Sequence, residues 1–331
     1  SILAACIISL PFFGLTQQSY SNKLDEYTTA YAAAYDFHGA ILVAKKNEII
    51  FQKAFGIANR EWAVKNTTDT RFPIASLTKQ FTAAAILQLV EQGKLSVDDK
   101  LSNCFPGFPK GDSITIHMLL NHTSGLNEYY QFPEVFHLHS ATKLPGDTII
   151  KLFQEMPFRF APGSFWGYSN TGYLLLGYII EKVTGQTYGD YLHQYLFQKA
   201  GMSNTGLFQQ DSVTLKRAFG YTQTPNGIIT QMIIASKLGF SDGGLYSTLS
   251  DLLAWTSALR SYKIIGKESL AKMNQPNREE GGAGYGIFIE NMFDRKVRFH
   301  TGNIPGYSSI MLNYVEEDVT IIILANRETN L

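Results

Sequence analysis

Strand-forming runs lie at both ends of this chain, and helical periodicity fills the stretch between them. Near the start, Ala40-Ile-Leu-Val-Ala44 and Glu48-Ile-Ile-Phe51 flank Lys46-Asn47, a pair suited to a tight hairpin turn. Near the end, Tyr285-Gly-Ile-Phe-Ile289 matches Lys296-Val-Arg-Phe299, and Ser309-Ile-Met-Leu-Asn-Tyr-Val315 matches Val319-Thr-Ile-Ile-Ile-Leu324 across Glu316-Glu-Asp318. Strands from distant parts of a chain bury their apolar faces by sharing a sheet. The pattern therefore predicts an α/β fold of the α+β type: one antiparallel sheet built from both chain ends, flanked by helices, with an all-α region inserted. The α/β part is expected over about residues 30–95 and 235–331 and the helical part over about 96–234, together one unit spanning 19–331. A chain of 331 residues can support two such regions sharing a cleft.

Lys+Arg and Asp+Glu both number 28, so the formal net charge is zero. That balance argues against a nucleic-acid partner, which calls for a basic patch. The apolar run from Ile2 to Gly14, followed by polar Thr16-Gln-Gln-Ser19, has the length of a signal-peptide core and is short for a membrane span. Residues 1–18 are read as the remnant of a secretory signal, and the protein as exported, periplasmic or attached to the cell envelope. Leu3-Ala-Ala-Cys6 also resembles a lipobox, although apolar residues follow Cys6, and a buried N-terminal strand is the plain alternative. A signal or lipid anchor there is the one membrane link the sequence offers. With Cys6 removed, Cys104 stands alone as a small packed residue. His137-x-His139 lacks a third ligand in context, so no metal and no cofactor are expected. His122 is expected to organise a turn.

Three short strings carry the chemistry: Ser76-Leu-Thr-Lys79, Tyr168-Ser-Asn170 and His300-Thr-Gly302. Ser-x-x-Lys also occurs at Ser140/Lys143 and Ser269/Lys272, and Tyr-Ser-Asn at Tyr20, so context selects the copies that matter. Ser76 opens a helical stretch with Phe81, Ala85, Leu89 and Gln92 on one stripe, closed by Gly93. Residues three apart on a helix share a face, which puts the Lys79 amine within reach of the Ser76 hydroxyl. A serine becomes a nucleophile when a base takes its proton, and a lysine held away from water can do so. An ordinary N-cap and a solvated first-turn lysine are the structural alternative. Tyr168 and Asn170 follow a Pro/Gly-broken loop and precede an apolar helix closed by Gly185. The phenol suits proton transfer and the amide suits a substrate amide, or both are packed loop residues. His300 and Thr301 end a strand-like run, where Gly302 admits close backbone approach. Such an edge fits strand addition of substrate, with His300 and Thr301 on a carboxylate, or it is a strand end with a surface histidine.

These strings, together with Leu119-Leu-Asn-His-Thr-Ser-Gly-Leu126, Pro162-Gly163, Gly243-Gly-Leu-Tyr-Ser-Thr-Leu-Ser-Asp251 and Pro305-Gly-Tyr-Ser308, fall in the order seen in the serine β-lactamase and penicillin-binding protein superfamily. The chain resembles its class C branch, which includes DD-peptidases, family VIII esterases and D-amino-acid peptidases, from about Gly39 to Arg327. The resemblance implies a β-lactamase/transpeptidase-like fold with the site between an α/β and an all-α domain. It implies that Ser76 is acylated, that Lys79 exchanges its proton and that Tyr168 acts as general base and acid. Asn170 would hold the acyl side-chain amide. The N–H groups of Ser76 and Asn303 would form an oxyanion hole, and His300, Thr301 and Gly302 would bind substrate. Branch members end in a further helix on the sheet, which the chain as written lacks or stops short of.

Class C β-lactamases carry Lys-Thr-Gly where this chain has His300-Thr-Gly302. Near neutral pH lysine keeps its charge, whereas an unperturbed histidine titrates near about 6.5. Carboxylate anchoring should be weaker or pH-dependent, which shifts the expectation from β-lactamase toward a D-alanyl-D-alanine-type peptidase or an esterase. A sensor that is acylated without turnover is the non-enzymatic alternative. The substrate class is a peptide ending in D-Ala-D-Ala, a β-lactam or an ester.

Overall fold

The computed structural model describes residues 17–134, 146–208, 213–230, 240–278 and 281–328. Its main sheet takes two strands from the start of the chain, β1 (Gly39–Lys45) and β2 (Glu48–Phe55). Five come from the end: β3 (Gly282–Ala283), β4 (Phe288–Met292), β5 (Arg295–Ile304), β6 (Tyr307–Tyr314) and β7 (Val319–Ala325). They lie in the order β3-β4-β5-β6-β7-β1-β2, each pair antiparallel. The two chain ends meet at the β7–β1 pair, where Gly39 faces Ala325 and Lys45 faces Val319. The hairpin turns are built as their sequences require. Lys46-Asn47 and Phe293-Asp294 all hold positive φ, the backbone twist that lets a two-residue loop join right-twisted strands.

Both faces of the sheet are covered, and side-chain alternation assigns them. Ile321 and Ile323 of β7 join Ile41 and Val43 of β1 on the outer face, under Leu24 of α1 (Gln17–Tyr35). Ile322 and Leu324, with Ala40 and Leu42, join the inner core with α2 (Thr78–Glu91) and α4 (Leu249–Arg260). Each such side chain contributes roughly 1.5–3 kcal/mol by leaving water. α2 is buried on every side from Thr78 to Leu89, wider than the single stripe its periodicity predicts, because α3 (Asn170–Thr184) and α5 (Lys267–Met273) also pack on it. Gly93 and Gly185 end α2 and α3 in the left-handed region, as expected.

Four details differ from the sequence expectation. β5 continues past Thr301 to Ile304 and lies inside the sheet, not at its rim. The strand placed at Tyr285–Ile289 begins only at Phe288, because Gly286 turns at φ 69°. The middle of the chain is largely helical but not all-α. It carries the hairpin Tyr221–Thr224/Gly227–Thr230, and Gly206–Leu207 joins a small sheet with Leu245–Ser247 and Phe72–Pro73. Gln17 and Gln18, read as part of the leader, begin α1, which also contains Tyr20-Ser-Asn22. Ser269 and Lys272 sit on α5. Cys104 is buried in the core and burial raises its thiol pKa, consistent with a packed residue. Leu3–Cys6, the candidate N-terminal strand, His137, His139 and the Ser140/Lys143 pair lie outside the described residues. Among the described residues no helix is long and apolar enough to cross a membrane.

Ile322 is fully buried against the inner core. Ile322→Ala is expected to lower unfolding stability by about 2–5 kcal/mol, read as a shift in urea midpoint.

Candidate active site

Ser76 lies in a single 3₁₀ turn, Ala75–Leu77, that feeds directly into α2. The turn is clamped by three neighbours. Ile74 donates its N–H to the Leu245 carbonyl at 2.9 Å, and Ser309 Oγ of β6 donates to the Ile74 carbonyl at 2.8 Å. Gly302 of β5 supplies the third contact: a Cβ there would stand 2.4 Å from that same carbonyl oxygen, so only glycine lets the strand come this close. Ala75 holds φ 47°, a strained value for a residue with a side chain, directly before the candidate nucleophile.

Lys79 is completely buried, and its Nζ meets three acceptors. It lies 3.1 Å from Ser76 Oγ, 2.7 Å from Asn170 Oδ1 and 2.6 Å from the Asp242 carbonyl. Asn170 cannot be turned around, because its Nδ2 donates to Glu128 Oε2 at 3.1 Å and its backbone N–H donates to the same carboxyl. Two of the Nζ hydrogens are thus committed to pure acceptors. The third tetrahedral position, toward Ser76, holds a proton in the ammonium form and a lone pair in the amine form. Asn170 has one amide hydrogen left for a substrate. Gly286 turns against this lysine, where a Cβ would sit 2.5 Å from the Lys79 carbonyl oxygen.

Tyr168 is half-buried and framed by rings. It stacks on His122 with centroids 4.5 Å apart, lies 6.2 Å from the His300 ring, and has Lys79 Nζ 4.9 Å from its centroid. His122 organises this loop, as expected. Its carbonyl accepts from Gly167 N–H and its Nδ1 accepts from Ser169 N–H at 3.1 Å. Burial, then the charge of Lys79, holds its pKa well below the usual range, so it acts as a neutral acceptor.

His300 departs from both sequence readings. It is 2% exposed, so it is not a surface histidine. Its Nδ1 sits 2.5 Å from the Thr301 carbonyl and must donate to it, which leaves Nε2 a buried bare acceptor. Burial, followed by the Lys79 charge, brings its pKa down to about 3, so its charge does not change near neutrality. In this state the ring offers a carboxylate neither charge nor N–H. β4 leaves β5 after the Phe288–Phe299 pair, so residues 300–304 are paired to β6 alone. A free edge for strand addition therefore exists only along this short stretch, where Thr301 is half-buried and Asn303 exposed.

A cleft of about 1210 Å³ opens beside Tyr168, with Glu128, Arg159, Trp166, Arg278 and Tyr285 also on its walls. Ser76 and Lys79 are not among its lining residues. Glu128 is 2% exposed, and burial raises its pKa to about 7 against the opposing pull of its Asn170 hydrogen bonds. The motifs passed over two of these groups. Glu128 stands two residues beyond the Leu119–Leu126 landmark, and Asp242, whose backbone carbonyl holds Lys79, stands one before Gly243. A carboxylate in Leu126-Asn-Glu128 beside a recognised landmark was the available signal for the first; a backbone carbonyl leaves no sequence signal.

A serine at the mouth of a buried helix, joined to a buried lysine, on a sheet covered by helices defines a serine hydrolase of the penicillin-recognising fold. The chain belongs to the Beta-lactamase family, whose sequence profile matches residues 24–331. Penicillin-binding protein 4* of Bacillus subtilis (strain 168) is 32% identical over 89% of this chain and 69% of its own length. The crystal structure of a penicillin-binding protein from Bacillus halodurans superposes with a TM-score of 0.84 at 32% identity, covering 91% of this chain and 95% of that one. A D-aminopeptidase of Brucella anthropi is 26% identical over 88% of this chain, which spans 56% of that relative.

The raised Glu128 pKa sets a direction for stability. The unfolded chain gives up this proton near the ordinary value of 4.5 and the folded chain near about 7, so the contribution is fully present below 4.5 and is lost as pH rises toward 7. Melting temperatures of the wild type are expected to fall more between pH 4.5 and 7.5 than those of Glu128→Gln; equal slopes would remove Glu128 from the account.

Proposed function

We propose that this chain is an exported hydrolase that acylates Ser76 and cleaves small amides of the D-amino-acid and penicillin type. The observation that carries the reading is the trio of contacts at Lys79 Nζ. With two hydrogens held by Asn170 Oδ1 and the Asp242 carbonyl, the amine form aims its lone pair at Ser76 Oγ from 3.1 Å. As Oγ attacks the carbonyl carbon, its proton passes to Nζ. The carbonyl oxygen takes up negative charge facing the N–H groups of Ser76 and Asn303, donors typically worth about 10²–10³ in rate each. Tyr168, beside Nζ, returns a proton to the leaving nitrogen, which departs as an amine and leaves an ester on Ser76. Water then attacks that ester, losing its proton to the same pair and freeing Oγ.

His300 bears on the choice of leaving group. A neutral ring with its only N–H spent on Thr301 gives a terminal carboxylate no cationic anchor. Glu128, on the cleft wall and ionised above about pH 7, instead suits a substrate ammonium. Together these favour amides and peptides of D-amino acids with a free amine over D-Ala-D-Ala carboxypeptidase substrates, in keeping with the name of the Brucella relative. The same missing anchor favours a carboxylesterase as the second reading. Export rests on the Ile2–Gly14 run and on the bacterial penicillin-binding relatives.

Intact-protein mass spectrometry after incubation with a penicillin tests the nucleophile. A penicilloyl adduct on the wild type and none on Ser76→Ala is expected, with Lys79→Ala and Tyr168→Phe acylating about 10²–10⁴ times more slowly; an adduct on Ser76→Ala would refute the mechanism. In a panel of D-alaninamide, an N-acylated D-Ala-D-Ala and a p-nitrophenyl ester, D-alaninamide should turn over fastest, and Glu128→Gln should raise KM for D-alaninamide by a larger factor than KM for the ester. An ester-only profile would make the second reading the right one.

A further inference from the structure

A second pocket of about 50 Å³ lies between α4, α5 and the inner face of β5 and β6. It shares no lining residue with the cleft beside Tyr168. Leu259, Leu270, Met273, Ile287 and Met311 make its walls apolar. Its buried polar groups are what set it apart. Gln80 is 1% exposed, and its Oε1 accepts from Trp255 Nε1 at 2.9 Å, which turns its amide NH₂ away from Trp255 with no partner among the described residues. Arg298 Nε is also buried and without a partner, and no carboxylate of the described residues pairs with this guanidinium. Arg260, on the same lining, is paired with Asp318, and the charge of Arg298 acts on it as a repulsion. Two half-buried guanidiniums with one carboxylate between them leave the lining one positive charge in excess, and half-buried charge calls for a counter-charge. His300, whose Nε2 is buried and bare, completes the lining.

We propose that this pocket is a second binding site, for a small monocarboxylate with a short apolar body, and that its occupant modulates the catalytic cleft through His300. The carboxylate oxygens accept from Arg298 Nε–H and the Gln80 amide, and the aliphatic part lies against the apolar walls. The volume admits about 3–5 non-hydrogen atoms, counted at roughly 10–15 Å³ for each water-sized sphere, so a ligand between acetate and propionate in size fits. His300 is the shared wall: it lines this pocket while its ring lies 5.1 Å from Phe288 and 6.2 Å from Tyr168. The modulating effect, unlike the binding, rests on the proposed role of Tyr168.

Ligand-observed NMR with sodium propionate on the full chain tests the site. Saturable binding in the millimolar range is expected. It should be weakened at least tenfold in Arg298→Met, and also in Leu270→Trp, which fills the pocket and leaves the charges alone. It should persist after Ser76 has been acylated with a penicillin. Melting curves show whether each variant folds; should Arg298→Met fail to fold, Leu270→Trp carries the test. Absence of saturable binding would overturn the proposal. So would binding that acylation abolishes and both variants retain, because propionate would then sit in the catalytic cleft. Saturating propionate is further expected to change the penicillin acylation rate at least twofold in the wild type and not in Leu270→Trp. An unchanged rate alongside binding would overturn the modulation and leave the site. Failure of Ser76 to acylate at all would count against the hydrolase mechanism and not against the pocket, which the two variants still decide.

Discussion

The Lys79 side chain is the joint on which the site depends. An amine taken wholly out of water is costly unless each of its hydrogens finds a partner. Here the partners come from separate parts of the chain: Ser76 before α2, Asn170 at the start of α3 and the carbonyl of Asp242 in the loop leading back to the sheet. Satisfying one buried nitrogen thereby draws the helical region, the sheet and the candidate nucleophile into a single geometry. Glu128 extends the same chain of bonds by fixing the direction of Asn170. A change at any of these groups is felt at Nζ, which is why the lysine and its surroundings are better regarded as one polar network than as separate residues.

Around that network the molecule uses neutral imidazoles and missing side chains. His122 and His300 bracket Tyr168, and burial, followed by the charge of Lys79, keeps both uncharged. Gly302 and Gly286 let β5 and the turn before β4 come against the Ser76 turn and the Lys79 backbone at distances no Cβ would permit. The substitution of histidine at position 300 therefore does more than weaken a charge. It places at this position a ring that turns its only N–H inward, which under the proposed function would alter which end of a substrate is held.

Much of this was legible in the sequence. Apolar alternation and turn residues such as Lys46-Asn47 located the hairpins, because a strand's period of two and a turn's positive φ both leave marks in residue type. The spacing of Ser76 and Lys79 gave their proximity, since a helical turn converts sequence distance into space. The extension of β5 to Ile304 was hidden because Gly302, whose small size serves the contact with Ile74, carries no strand signal of its own. The protonation of His300 and Glu128 was not legible, because it depends on how deeply each is buried and on Lys79, a neighbour hundreds of residues away from His300 in the chain. Asp242 acts through its carbonyl, which every residue has, so nothing in its identity announced it.

The pairing of β1 with β7 also bears on how the chain reaches its native state. Gly39 and Ala325 are about 290 residues apart, yet they sit side by side inside the sheet. At roughly 5–20 residues per second of synthesis, β1 and β2 would wait on the order of tens of seconds before their neighbour exists. Through that interval one whole edge of β1 has no native partner. Long-range pairing of this kind makes closure of the sheet a late and slow event. The site assembles last with it, because Gly302 and Ser309, which clamp the Ser76 turn, belong to the final strands to be made.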